Sequence, residues 1–100
     1  MGYREEFPNY DDELWIPKGF IDGSWHNDTC PHAEKVLINT PDLFVNVDIW
    51  QEYKDPDMRE CERRYALTIS VNGANIFFYD TDDLGEIKKL VSANVFEWAM

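Results

Sequence analysis

The chain has 100 residues, of which 44% are hydrophobic and 15% aromatic, so it is long enough for one packed domain and too apolar for a disordered acidic tail. Twenty acidic residues against nine basic ones give a net charge of −11 and a pI near 4.3. A field of that sign repels phosphate backbones, which disfavours direct nucleic-acid binding, and steers basic protein surfaces toward the chain.

Residues 1–13 combine acids with Tyr3, Phe7 and Tyr10, and Pro8 prevents one helix from running through them, so they read as an irregular N-terminal arm. The opening acids Glu5, Glu6, Asp11, Asp12 and Glu13 also lack the basic and apolar regions of a signal peptide. No apolar run reaches the roughly 18 residues of a membrane span, and the expected setting is the cytoplasm. There Cys30 and Cys61 are expected to stay reduced. Leu14-Trp15-Ile16 and Phe20-Ile21, separated by Pro17 and the Lys18-Gly19 turn, read as two short edge strands. Asp22 to His32 is rich in turn formers but holds Trp25, and reads as an ordered loop.

Lys35 to Asn39 is a strand candidate, and Thr40-Pro41-Asp42 supplies the turn into Leu43 to Trp50. That second segment alternates, with Leu43, Val45, Val47 and Ile49 on one side and Phe44, Asn46, Asp48 and Trp50 on the other. Gln51 to Arg63 is a polar connection broken by Asp55-Pro56-Asp57. Tyr65, Leu67, Ile69 and Val71 alternate again; Asn72-Gly73 is a type I′ hairpin signal, and Ile76 to Tyr79 is the return strand. Leu84, Ile87, Val91, Val95 and Trp98 then form the stripe of an amphipathic helix, with Thr81 or Asp83 as N-cap and Glu86 completing a capping box. Lys88 and Lys89 are placed to pair with acids of the arm. The expected fold is α+β: an antiparallel sheet of about four main strands in two hairpins, with the C-terminal helix on one face, in a single domain spanning residues 1–100.

Charge is uneven: residues 1–50 carry a net −7 and residues 51–100 a net −4. His26, Cys30, His32 and Cys61 are chemically able to hold zinc, but a His-x3-Cys-x-His spacing matches no common zinc pattern. Asx-type turns by Asn27, Asp28 and Thr29 over a packed Trp25 and Cys30 explain the same loop, so no cofactor is expected. Ser24, His26 and Asp28 are too close in sequence for a hydrolytic triad, and there is no nucleophile elbow, calcium loop or phosphate loop. An enzyme is therefore not the expectation.

The strand face bearing Phe44, Asn46, Asp48 and Trp50, which Phe77 and Tyr79 can join across the sheet, is either covered by the arm and the Trp25 loop or exposed. Exposed, it mixes aromatics with carboxylates in the way that grips arginine and lysine. The segment Lys18 to Pro31, with its Ser-Trp-His-Asn-Asp-Thr-Cys-Pro run, resembles the opening of small uncharacterised bacterial and phage proteins. The likeness covers about a seventh of the chain and implies a bacterial or phage setting with no assigned activity.

The expectation is thus a non-catalytic binding protein that inhibits or sequesters a basic, nucleic-acid-handling protein, resembling phage anti-defence proteins such as anti-CRISPRs and DNA mimics. Asp48, Trp50 and Phe44 are the preferred contacts, with the acids of the arm widening the patch, and the chain is a monomer or small homo-oligomer. The alternatives are an immunity protein for a nuclease toxin, a small zinc protein using the four residues above, or a minor virion or assembly component.

Overall fold

A computed structural model describes residues 2–93, so Val95 and Trp98 of the expected helical stripe lie outside the described residues. The chain forms one five-stranded antiparallel meander: β1 (Ile21–Asp22), β2 (His32–Asn39), β3 (Phe44–Gln51), β4 (Tyr65–Val71) and β5 (Ala74–Thr81), in that spatial order. Helix α2 (Leu84–Ser92) closes one face, and a single helical turn, α1 (Tyr3–Glu6), stands ahead of Pro8. The four main strands are those read from the sequence. The fifth, β1, pairs Ile21 with Glu34 and Asp22 with Ala33, whereas Leu14-Trp15-Ile16 forms no strand.

The core follows from the alternation of β3 and β4. Val45, Val47, Ile49, Leu67, Ile69 and Ile87 of α2 are each no more than 2% exposed, and burial of each stabilises the fold by roughly 2 kcal/mol. Asp83 is the N-cap of α2, its carboxylate accepting from the Gly85 amide at 2.9 Å. Glu86 does not reach back to the Asp83 amide as a capping box requires. It accepts from the hydroxyls of Thr81 and Tyr79, while the Thr81 hydroxyl takes the Asp83 amide at 3.0 Å.

The arm is pinned by its aromatics and acids together. Tyr10 is buried, packs edge-on against Tyr3 and Tyr53, and shares its hydroxyl between the carbonyls of Gln51 and Glu52 at 3.0 and 3.1 Å. Asp12 binds Arg64 at 2.6 Å, and Asp11 accepts the amides of Lys54 and Asp55 at 2.8 and 2.9 Å. Trp15 lies on the helix side of the sheet, beneath the ammonium of Lys88 at 5.6 Å from the ring centre. Lys88 of α2 therefore meets an aromatic just beyond the arm where an arm acid was expected.

Two bulges set the registers. In β2, Val36 pairs with Asn46 but Ile38 with Val45, so Leu37 is the extra residue; in β5, Asn75 pairs with Ser70 but Phe77 with Ile69, so Ile76 is extra. Asn72 and Gly73 sit at φ +51° and +84°, as the type I′ turn requires. An unbulged hairpin from that turn would place Phe77 opposite Thr68 on the side away from α2. The Ile76 bulge reverses this: Phe77 and Tyr79 face the helix, and Phe78 and Asp80 take the other side.

Ile87 is the one fully buried side chain of the described part of α2. Truncation by Ile87→Ala is expected to cost about 3 kcal/mol in chemical denaturation, the range for a large-to-small change in a sealed core.

Candidate functional site

With α2 on one face, cross-strand pairing lays out the opposite face in rows. His32, Trp50, Ala66 and Asp80 form one; Glu34, Asp48, Thr68 and Phe78 the next; Val36, Asn46, Ser70 and Asn75 the third. Neither the arm nor Trp25 seals this face. Trp25 is 45% exposed and stacks on His26, while Asn27 to Cys30 only wall one side of the face. The outcome is an open concavity of about 420 Å³, floored by Trp50, Ala66, Thr68 and Phe78 and rimmed by Arg63 and Arg64. Phe78 is 60% exposed on it.

Trp50 is held on two sides. Its indole N–H donates to the Thr68 hydroxyl at 3.1 Å, and its ring lies against the His32 imidazole with 4.3 Å between centres. His32 in turn meets three carboxylates. Its Nε2 is 3.1 Å from Glu34 and 3.7 Å from Asp48, and its Nδ1 is 3.7 Å from Asp28. Asn46 donates to the second oxygen of Asp48 at 2.9 Å, which turns the first toward His32. Burial pushes the Asp48 carboxyl up to about 6; Glu34 and Asp28 add to the rise, and His32 and Asn46 oppose it.

The expected contacts separate into two groups. Asp48, Trp50 and Phe44 share the open face, Phe44 at 39% exposure. Of the arm, Glu5 and Glu13 are exposed, but the others are engaged internally: Glu6 binds His26 at 2.9 Å, and Asp11 and Asp12 hold the connection between β3 and β4.

The four residues weighed for zinc are not gathered. His26 is in an exposed turn against Glu6, His32 points into the carboxylates, and Cys30 and Cys61 lie by the concavity near Glu52. The reason is that β2 begins at His32, so strand pairing fixes its side chain to the Trp50 row while Cys30 stays behind in the loop. Among the described residues, the group able to hold a metal ion is His32, Glu34 and Asp48. Sequence reasoning missed Glu34, because it placed the start of the strand at Lys35. A His-x-Glu pair on one strand shares a face.

No family model, curated protein or solved structure matches the chain. The class rests on the molecule itself: an acidic five-stranded meander with one helix-covered face and one open, aromatic and carboxylate-lined face.

Both cysteines are free thiols; burial, then Glu52, pushes Cys30 up to about 12, whereas Cys61 is exposed with its thiol raised less. At neutral pH a maleimide is expected to modify Cys61 alone, and Cys30 only in denaturant, as counted by mass spectrometry. Arg64 joins Asp12 to the Glu52 carbonyl through bonds of 2.6 and 2.7 Å. Arg64→Ala is expected to cost about 2 kcal/mol. Burial opposes the lowering of the Asp12 carboxyl, but the Arg64 bond, the Glu13 amide and Lys54 outweigh it. A depressed carboxylate stabilises the fold above its unfolded pKa, and that contribution is lost as pH falls through the folded value. The variant should therefore lose less stability than the parent below about pH 4, read by denaturation across pH.

Proposed function

We propose that this chain is a non-catalytic binding protein that docks its open sheet face onto a basic, nucleic-acid-handling protein. The observation that carries the reading is the make-up of the concavity. Asp28, Asp48 and Asp80 line it with Trp50 and Phe78, against two arginines, while buried Glu52 at its edge is taken up by the amides of Glu60 and Cys61. Both arginines already have acidic partners, Arg64 in Asp12 and Arg63 in Asp82 at 2.9 Å, so the remaining field is negative.

A partner's lysine or arginine entering this space meets a carboxylate and an aromatic face together, and each is worth more there than on an open surface. The net −11 draws such a partner in from a distance, and exposed Phe78 and Phe44 supply apolar anchorage once it arrives. A phage anti-defence protein and an immunity protein for a nuclease toxin both fit this physical profile. The likeness of the Lys18 to Pro31 segment to small bacterial and phage proteins is compatible with both, and genomic neighbours separate them.

The test immobilises the chain and captures partners from bacterial lysate at low and high ionic strength. A basic partner released by salt is expected, with retention about tenfold lower for Phe78→Ala combined with Asp80→Asn, two exposed changes that leave the melting temperature unchanged. Retention indifferent to both salt and that double variant overturns the reading.

A further inference from the structure

His32 is surrounded in a way that no single neutral tautomer satisfies. With the proton on Nδ1, the Nε2 lone pair faces the carboxylates of Glu34 and Asp48; with the proton on Nε2, the Nδ1 lone pair faces Asp28. Nδ1 is buried and has no hydrogen-bond partner among the described residues, and the side chain is only 8% exposed. The two carboxylates at Nε2, Glu34 and Asp48, leave an excess of negative charge there. A dication there offsets it and leaves Nδ1–H free to point at Asp28.

The arrangement is also built rather than incidental. A Cβ on Gly23 would stand 1.7 Å from the Glu34 carboxylate oxygen and 2.5 Å from its carboxyl carbon, so only glycine lets Glu34 fold down beside His32. Gly23 is itself fixed by its backbone N–H, which donates a hydrogen bond to the His32 carbonyl at 3.1 Å. On the other side, Asn46 holds one oxygen of Asp48 and presents the second. Glu34 and Asp48 are direct cross-strand partners, and the ligand atoms of all three residues lie within 4.8 Å of one another.

We propose that His32 Nε2, Glu34 and Asp48 form a zinc site. Four-coordinate zinc with bonds near 2.0 to 2.1 Å sets its ligand atoms about 3.4 Å apart. The observed 3.1 and 3.7 Å from Nε2 to the two carboxylates bracket that spacing. One nitrogen and two oxygens suit a borderline dication rather than calcium or magnesium, which take oxygen alone. Asp28, 3.7 Å from Nδ1 and outside hydrogen-bond distance, places a negative charge behind the ring that favours the proton on Nδ1 and leaves Nε2 to a metal. Three protein ligands leave a fourth position for water or for a group from outside. The site shares Asp28 and Asp48 with the concave face, yet the two proposals fail separately: zinc binding can be absent while Phe78 and Asp80 still take a partner, and the reverse.

The experiment uses the full chain, stripped with EDTA and titrated with zinc chloride alone by calorimetry. One zinc per chain is expected, with a dissociation constant below about 10 µM, a free energy of some 7 kcal/mol. Glu34→Gln, Asp48→Asn and Gly23→Ala should each weaken binding at least about tenfold, and His32→Ala abolish it. His26→Ala and Cys61→Ser should leave it intact. Cobalt substituted for zinc should show no thiolate charge-transfer band. The parent chain decides the matter even where a variant fails to fold. An absence of one-to-one binding overturns the proposal, including the case where NMR shows His32 held as an imidazolium indifferent to zinc. So does a thiolate band, or full affinity in folded Glu34→Gln.

Discussion

Everything distinctive about this molecule depends on strand register, and register depends on two single-residue bulges. Side chains alternate across a sheet with period two, so one extra residue exchanges the two faces of a strand for its remaining length. If β2 ran without its bulge from the Thr40 to Leu43 turn, the pairing of Asn39 with Phe44 and Ile38 with Val45 would continue to Glu34 with Ile49. Glu34 and His32 would then be driven toward α2 and the core. Leu37 absorbs the mismatch, and both emerge on the open face beside Asp48 and Trp50. At the opposite edge, Ile76 does the same for Phe78 and Asp80.

The negative charge has two uses, which the bare total hides. One part is spent internally: Asp11, Asp12, Glu52 and Asp82 accept amides or guanidinium groups and fasten the arm and the 52–64 connection to the sheet. These carboxylates behave as hydrogen-bond acceptors for otherwise unpaired backbone in segments that have no ladder of their own. The other part, with Asp28, Glu34, Asp48 and Asp80, collects on the face away from the helix. This second group lies mostly in strands rather than in the arm.

The open face stays open because its natural cover is engaged elsewhere. Trp15 and Phe20 pack into the helix-side core, Leu14, Tyr10 and Phe7 are buried, and Trp25 is stacked on His26 at the surface. The aromatics of the first half therefore close the core and its end without forming a second layer. Exposed Phe78, Phe44 and Val36 remain on the uncovered side beside carboxylates.

By itself the sequence determined the α+β class, the four main strands, the Asn72-Gly73 turn, the inward stripe of Val45, Val47, Ile49, Leu67 and Ile69, and a helix start capped by Thr81 or Asp83. All of these are encoded locally, by alternation over a few residues or by the chemistry of one turn or cap. Placing Asp48 and Trp50 opposite the core was legible for the same reason. Only the tertiary structure decided that His32 and Glu34 join them, that Phe78 replaces Phe77 and Tyr79, and that His26, Cys30 and Cys61 stand apart from His32. Each of those depends on a bulge or on the residue at which a strand begins, and neither leaves a mark in composition or periodicity, because the mismatch is settled between chains of contacts far apart in sequence.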